Sequence, residues 1–352
     1  MTDLRDDTRA GFGAAYGYAP SALWSAPGRL SLLGEHTEQS GGSVLAFAID
    51  RRTVLAASPR QDNRIRVATS LADDVAEIAL GELDADRLAG WAAYPLGTAW
   101  AFGRFGVDLS TATGADLYLD STVPVGAGLA SSAALECAVA LALNDLWSLG
   151  LDRMELAHRA RLAEDTIVGA SSGIMDQSAS LFGESDRAVY LDGRNGDIQI
   201  IDLGLEGAGL RVLVIDTGVG PFDAARDADD ETDSRHLRHV VTENERVHGA
   251  VRALRDEGPS ALGRFLDASH RSIRDDLDIR TPELDLAVET ALASGAIGAR
   301  MTARGGGGTA IALVAADELS LLQVAIDGAF AEHGYGQPDT FIVGASSGAT
   351  RE

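Results

Sequence analysis

Between Ala115 and Val123 apolar and polar residues alternate, with Leu117 and Leu119 set against Asp116, Tyr118 and Asp120. That period of two predicts a strand with one face turned to a core. The chain then passes through Val123-Pro124-Val125-Gly126-Ala127-Gly128-Leu129-Ala130-Ser131-Ser132 into an Ala- and Leu-rich run that continues to about Trp147. This reads as a glycine-rich turn opening an apolar helix. A second helix is expected over Met154 to Val168, where Leu156, Ala160, Ala163 and Ile167 recur at helical spacing. Upstream, short apolar runs predict strands at Val44 to Ile49, Thr53 to Ala57 and Ile65 to Ala68, and a helix near Pro95 to Phe105. Downstream, three short strands (Ala188 to Leu191, Ile198 to Leu203, Leu210 to Asp216) are joined by Gly-rich turns and read as the start of a second domain. Amphipathic helices at Leu237 to Leu254 and Ser260 to Asp275 follow, then four consecutive glycines entering a strand at Ala310 to Val314. Such a glycine run implies backbone packed against another segment, the first glycine loop being the candidate. The expected division is 1–182 and 183–352.

Composition narrows the class. The 352 residues, 45% apolar with 40 glycines, suit an α/β protein long enough for two domains. With 29 Lys+Arg against 53 Asp+Glu the net charge is −24. That opposes general binding to nucleic acid or an anionic membrane, which needs clustered positive charge, but allows a small anion held by local arginines. One cysteine, Cys137, cannot form an internal disulfide and reads as a buried thiol. The first twenty residues carry Asp3, Arg5, Asp6, Asp7 and Arg9 without an apolar run, and the uncharged span Ser121 to Leu135 is too short to cross a bilayer. A cytoplasmic protein, monomeric or weakly homo-oligomeric, is expected.

All 29 basic residues are arginine. A Walker-type loop, which requires Gly-Lys-Ser/Thr, is therefore excluded, as is a lysine Schiff base. Gly126 and Gly128 supply two glycines of a dinucleotide fingerprint, but Ser131 stands at the third position and the preceding strand is polar on one face. A central parallel strand would be apolar on both. What remains is a pair of glycines free to take positive φ, leading into a helix whose unpaired N–H groups and dipole favour an anion. Ser131 and Ser132 fall at the helix start, where a hydroxyl can cap, hold phosphate or ligate a metal. A capped helix after an ordinary loop has the same local sequence, so other segments must decide.

Two do. Arg29, Glu35, His36 and Glu38 lie within ten residues, framed by Gly28, Gly34, Gly41 and Gly42, a density of hydrogen-bonding groups suited to a polyhydroxylated molecule. Gly169 to Gln177 forms a loop opening another helical stretch, with Asp176 at its start. That carboxylate is either a favourable helix N-terminal acid or one presented near a phosphate loop. The acidic segment Asp223 to Ser234 reads as a solvated loop; it lacks the central Gly and terminal Glu of a calcium loop.

Three glycine-rich segments in this order, with Pro124-x-x-x-Gly128-Leu129-x-Ser131-Ser132-Ala133 in the middle, resemble the galactokinase, homoserine kinase, mevalonate kinase and phosphomevalonate kinase (GHMP) family of small-molecule kinases. The similarity is greatest to its galactokinase branch. Gly28-Arg29 through Gly34-Glu35-His36-Thr37 resembles the sugar signature of that branch, and Gly173-Ile174-Met175-Asp176-Gln177 its catalytic loop. The segments Arg238 to Val247 and Gly298 to Thr302 resemble its C-terminal half. The resemblance implies two domains: an N-terminal mixed-sheet α/β domain with a left-handed β-α-β unit, against the usual right-handed rule, and a C-terminal domain of antiparallel sheet plus helices. It implies an ATP-dependent sugar kinase acting on an anomeric hydroxyl, with Pro124, Gly126, Ala127, Gly128, Leu129, Ala130, Ser131 and Ser132 around ATP. Ser132 and Glu164 would hold Mg²⁺, Asp176 would act as base or orienting group, and Arg29 would stabilise charge. Glu35, His36, Glu38, Gly173 and Asp176 would meet the sugar.

Several positions depart from the branch pattern. Glu38 stands where Asp is usual, Gln39-Ser40 replaces an aromatic pair, and a Tyr-containing segment expected after Asp216 is replaced by the acidic loop. Ala303-Arg304 replaces two glycines of the third motif, and Ala130 a serine of the second. The departures at Glu38 and after Asp216 touch the sugar pocket. They lead to the expectation that galactose is a weak substrate or not the preferred one, unless Gln39, Ser40 or Arg304 rebuilds the contacts. A kinase for another sugar or sugar derivative is the nearest rival reading, and a non-catalytic sugar- and ATP-binding sensor the other.

Overall fold

The two apolar runs at residues 44–49 and 53–57 belong to one long strand. The computed structural model describes residues 3–169, 173–220, 230–302 and 308–352, and within them Ser43–Pro59 is continuous. With β1 (Ala22–Leu33) and β2 (Ser43–Pro59) as the spine, the first sheet adds β3 (Arg64–Thr69), β4 (Ala72–Ala79) and β5 (Ala115–Ser121). Two further strands, β6 (Arg187–Asp192) and β7 (Asp197–Asp202), complete this side. The polar break at Asp50 to Arg52 has a topological cause. On one edge β2 pairs with β1 throughout; on the other, Ser43 to Ala46 pair with β6 and Thr53 to Pro59 with β5. The polar residues sit where that edge changes partner.

Among the described residues, β3 and β5 are the one parallel pair of this sheet; the other pairs run antiparallel. The second sheet is antiparallel, in the order β11-β8-β10-β9, where β8 is Leu210–Asp216, β9 Gly298–Thr302, β10 Thr309–Ala315 and β11 Asp339–Val343. The last strand, β12 (Thr350–Arg351), returns to the edge of β1. Of the three strands expected to open a second domain, two (β6 and β7) are hydrogen-bonded into the first sheet and only β8 enters the second. Local patterning marks a strand; it does not say which edge the strand will find.

The polar face of β5 is covered rather than solvated. Helix α1 (Leu4–Tyr16) packs on it through Phe12, which joins Leu23, Val54 and Ala56. Asp116, buried there, accepts from Arg60 Nη1 at 2.9 Å and from Arg66 Nε and Nη2 at 2.6 Å. On the opposite face lie α2 (Ala93–Arg104), α3 (Ser131–Leu146), α4 (Arg153–Ala163) and α5 (Met175–Phe182), around a core that includes Leu117, Leu119, Phe102 and Leu143. Helices α6 (Asp230–Asp256), α7 (Leu262–Asp276), α8 (Pro282–Ala293) and α9 (Leu319–His333) accompany the second sheet. One core is shared by both sheets: Leu30, Phe47, Ala127 and Leu129 belong to the same cluster as Val212, Ile311 and Leu313. The glycine loop is thus anchored where the two halves meet. Among the described residues no helix is long and apolar enough to cross a membrane.

Candidate active site

Arg29 links the first strand to the glycine loop and to the start of α5. The β1–β2 register shifts between Pro27 and Arg29, and Gly28 lies so close to the loop that a Cβ there would sit 2.5 Å from Leu129 O. This close approach lets Arg29 N donate to Leu129 O (3.0 Å) and Arg29 Nη1 to Gly128 O (2.6 Å). The rest of the guanidinium forms a fork on Asp176, Nε to Oδ1 at 2.8 Å and Nη2 to Oδ2 at 3.0 Å. Both residues are buried. Burial disfavours the Arg29 charge, yet the Asp176 carboxylate outweighs it and the guanidinium pKa is raised. Asp176 is the second residue of α5, so its charge also meets the positive end of that helix.

The loop itself takes the strained turn that its glycines permit. Gly126 has φ +85° and Gly128 φ +68°. Ala130, at φ +55°, holds the N-cap position of α3, and no side chain caps the helix. The expectation of a capping serine hydroxyl is therefore corrected: Ser131 and Ser132 lie inside the first turn. Ser132 Oγ instead donates to Glu164 Oε1 at 2.6 Å, while Gln177 Nε2 donates to Glu164 Oε2 at 2.6 Å. Glu164 sits where α4 gives way to a π-turn, Glu164–Val168, so the helix expected to Val168 changes its winding at this carboxylate. From the second sheet Thr309 Oγ1 donates to Ala127 O at 3.0 Å. The start of β10 thus meets the glycine loop, while Gly305, Gly306 and Gly307 lie outside the described residues. Beside Ser131 and Ser132 opens a cavity of about 220 Å³ with Trp91, Tyr94, Leu71 and Leu135 in its walls.

The sugar-signature turn leads away from β1. Glu35 is buried, its carboxylate bonded by Arg300 Nη2 and by Thr302 Oγ1 (2.9 Å), and its carbonyl oxygen lies 3.0 Å from His239 Nε2. His36 has φ +63° and a half-buried ring whose centroid is 6.4 Å from that of His239. Glu38 Oε2 accepts from Gly173 N at 3.3 Å, and a Cβ on residue 173 would fall 2.6 Å from that oxygen. The longer side chain at position 38 thus reaches the backbone just before α5. Ala303, Arg304 and the segment at 221–229 lie outside the described residues.

Several participants carried no local signal of a role in the site. Trp91 and Tyr94 reach it only because α2 packs against α3. Gln177 ends the Gly173 to Gln177 segment, but nothing local marks it as a partner of Glu164. Arg300 and Glu243, both buried, draw the second half to the sugar turn; Gly34 N donates to Glu243 Oε1 at 2.9 Å. Among the described residues no group of three or more His, Cys, Asp or Glu could hold a metal by itself. A hydroxyl and one carboxylate in contact, Ser132 and Glu164, nevertheless suit Mg²⁺, which usually takes one or two carboxylates together with substrate phosphates and water.

Residues 10–59 match the galactokinase galactose-binding signature, residues 93–184 the GHMP kinases N terminal domain, and residues 250–330 the GHMP kinases C terminal. A galactokinase of Streptomyces coelicolor is 42% identical, over 97% of this chain and 96% of its own. One from Mycobacterium tuberculosis is 34% identical, over 93% and 98% respectively. Among solved structures, Lactococcus lactis galactokinase complexed with galactose superposes with a TM-score of 0.91, covering 99% of this chain and 100% of that one at 28% identity. A mevalonate kinase shares the fold at a TM-score of 0.71 and 20% identity, with 92% and 99% covered.

Proposed function

The chain belongs to the GHMP kinases, on their galactokinase branch, and from that premise we propose how its residues carry out phosphoryl transfer to a sugar. It is an ATP-dependent sugar kinase of the galactokinase type, acting on the anomeric hydroxyl of galactose or a related sugar. The observation that carries the residue assignment is the Arg29 fork: one guanidinium holds both the Gly128 carbonyl of the glycine loop and the Asp176 carboxylate. A cation and a proton acceptor are thereby set side by side at the glycine loop. Asp176 orients the hydroxyl and takes its proton, and Arg29 balances charge on the transferring group. Phosphoryl transfer asks mainly for positioning and electrostatic stabilisation.

The triphosphate lies along Pro124 to Ser132, its charge met by the loop and the start of α3. The aromatic cavity at Trp91 and Tyr94 takes the base. Ser132 and Glu164 would hold Mg²⁺, which would screen charge on the phosphate oxygens. Glu35, His36, Glu38, Gly173 and Asp176 face the sugar, with Glu35 held in place by Arg300 and Thr302. We assign nucleotide and sugar recognition to residues 1–182, closed over by residues 183–352. The enzyme is read as cytoplasmic, monomeric or weakly homo-oligomeric.

The contact of Glu38 with Gly173 N favours a pocket altered from the Asp-containing form, and so a preference shifted from galactose. A site built to pair a given hydroxyl discriminates strongly when that pairing is lost. A coupled ADP-release assay over free hexoses, pentoses, uronic acids and amino sugars tests both points. Turnover with at least one free sugar is expected, falling about 10²–10⁴-fold in Asp176→Asn while sugar binding is retained. No turnover on any sugar would favour the sensor reading. Galactose leading the panel by about tenfold or more would return the plain galactose preference.

A further inference from the structure

His239 lies on α6 with its ring fully buried between the sugar turn and α7. Its Nε2 is 3.0 Å from the main-chain oxygen of Glu35, and its Nδ1 is 2.9 Å from Ser272 Oγ. Turning the ring over would put carbon atoms at both places, so the two contacts fix its orientation. Ser272 Oγ also lies 2.8 Å from Asp276 Oδ2, and the other oxygen of that carboxylate accepts from Arg238 Nε at 2.9 Å. A chain of polar groups thus runs from a surface ion pair to the backbone of the sugar turn.

The chemistry of the partners places the protons. A carbonyl oxygen only accepts, so Nε2 must carry a hydrogen to bond Glu35. A carboxylate also only accepts, whereas a hydroxyl gives one proton and can receive another. When the imidazole is neutral, Ser272 gives its proton to Nδ1. When the imidazole is cationic, Nδ1 donates to Ser272 Oγ, and Ser272 gives its proton to Asp276. Nε2 keeps its hydrogen on Glu35 O in both states, because the Ser272 hydroxyl absorbs the change. Burial holds the imidazole below its usual pKa; the Glu35 carbonyl and Glu243 oppose this, while Arg246 and Arg300 add to it. The neutral ring with its hydrogen on Nε2 is therefore the form at neutral pH.

We propose that His239 is a positioning residue for sugar recognition: a constant Nε2–H donor that holds Glu35 O and so fixes the peptide plane entering His36. That plane borders the His36 φ of +63°, a left-handed conformation that, in a residue other than glycine, the surroundings must hold. The Glu35 carboxylate is held separately, by Arg300 and Thr302, so His239 acts on the main chain of the turn. The hydrogen bond stands on these contacts alone; its consequence for sugar binding rests on the reading of Glu35 and His36 given above.

Three replacements and one spectrum test it. His239→Leu leaves the Glu35 carbonyl without its donor. The KM for galactose, or for the leading free sugar of the panel if that is another, is expected to rise about 10-fold or more, the order for a stranded buried polar group. The KM for ATP should stay within about threefold of wild type, since only sugar binding is affected. A Gln side chain carries its amide nitrogen about where Nε2 lies, and Asn carries its own about where Nδ1 lies. His239→Gln is therefore expected to restore the sugar KM to within about threefold of wild type, and His239→Asn to remain as impaired as His239→Leu. Nitrogen NMR of the histidine rings, with the His239 signal assigned by its loss in His239→Gln, should show Nε2 protonated throughout about pH 6 to 8. A neutral ring protonated at Nδ1, an unchanged sugar KM in His239→Leu, or a His239→Gln variant as impaired as His239→Leu overturns the proposal. Should His239→Leu fail to fold, the spectrum and the comparison of Gln with Asn still decide. A sugar KM unchanged in His36→Ala would overturn the sugar-binding reading of the turn instead, leaving the spectrum to judge the hydrogen bond.

Discussion

At the scale of single residues, the site depends on side chains that serve two partners at once. Arg29 is the clearest case, because a planar fork can hold a carboxylate with one edge and a carbonyl with another. An ammonium group at that position would present a point charge without fixing orientation. Glu164 is its acidic counterpart, accepting from Ser132 on one oxygen and from Gln177 on the other. Glu164→Ala removes the proposed metal ligand and leaves Ser132 and Gln177 without their acceptor. Turnover at saturating ATP is expected to fall by about two orders of magnitude or more, comparable with losing a principal transition-state stabiliser. Circular dichroism should be unchanged. A variant with full activity over an Mg²⁺ titration would remove Glu164 from the metal site.

At the scale of elements, the glycine loop is held by strands on two sides and enters α3 through a residue that the backbone disfavours. Ala130 stands at φ +55°, a left-handed conformation costing an L-residue roughly 1–2 kcal/mol. Glycine pays no such cost, although it loses more backbone entropy on folding. Ala130→Gly is therefore expected to raise stability modestly, by up to about 1 kcal/mol, with kcat little altered. The denaturant midpoint with an unchanged m-value is the measurement. A clear loss of stability would mean that the Ala130 methyl group makes contacts outweighing the strain. The opposite constraint operates at Gly28, where a Cβ would meet the Leu129 carbonyl at 2.5 Å and force β1 and the loop apart.

At the scale of the whole molecule, the sugar turn of the first half is held by the second. Arg300 is fully buried and donates to Glu35 Oε2, to Leu32 O at 2.7 Å and to Met301 O at 2.8 Å. His239 and Glu243 on α6 hold the same turn through Glu35 O and Gly34 N. Removing one member of a buried ion pair strands the other, at about 3–5 kcal/mol. Arg300→Met is expected to destabilise the protein by that order and to raise the KM for sugar, with the KM for ATP less affected. Adding Glu35→Gln removes the stranded charge and should restore part of the stability. Thermal unfolding of the two single variants and the double variant gives the coupling. Additive losses would mean that the pair does not join the two halves energetically.

The sequence by itself determined the local elements and the chemistry they carry. Periodicity marked β5, α3 and the run of β6, β7 and β8. The glycine spacing announced the positive φ at Gly126 and Gly128, and the absence of lysine ruled out a Walker loop before any fold was considered. Arg29, Ser132 and Asp176 stand in local motifs ordered along the chain, whereas Glu164 stands in none and comes only from the family resemblance. Only the tertiary structure decided which edges pair and what faces what. Nothing in residues 43–59 says that one edge of β2 changes partner at Asp50, or that β6 and β7 join the first sheet rather than the second. Nor does a helical pattern show that Trp91 and Tyr94 will wall a cavity beside Ser132. Glu136 reads in sequence as the polar end of an uncharged run; its complete burial exists only once α3 packs among α2, α4 and α5. Local sequence sets backbone preference and side-chain chemistry, but hydrogen-bond partners and burial are properties of contacts between segments far apart in the chain.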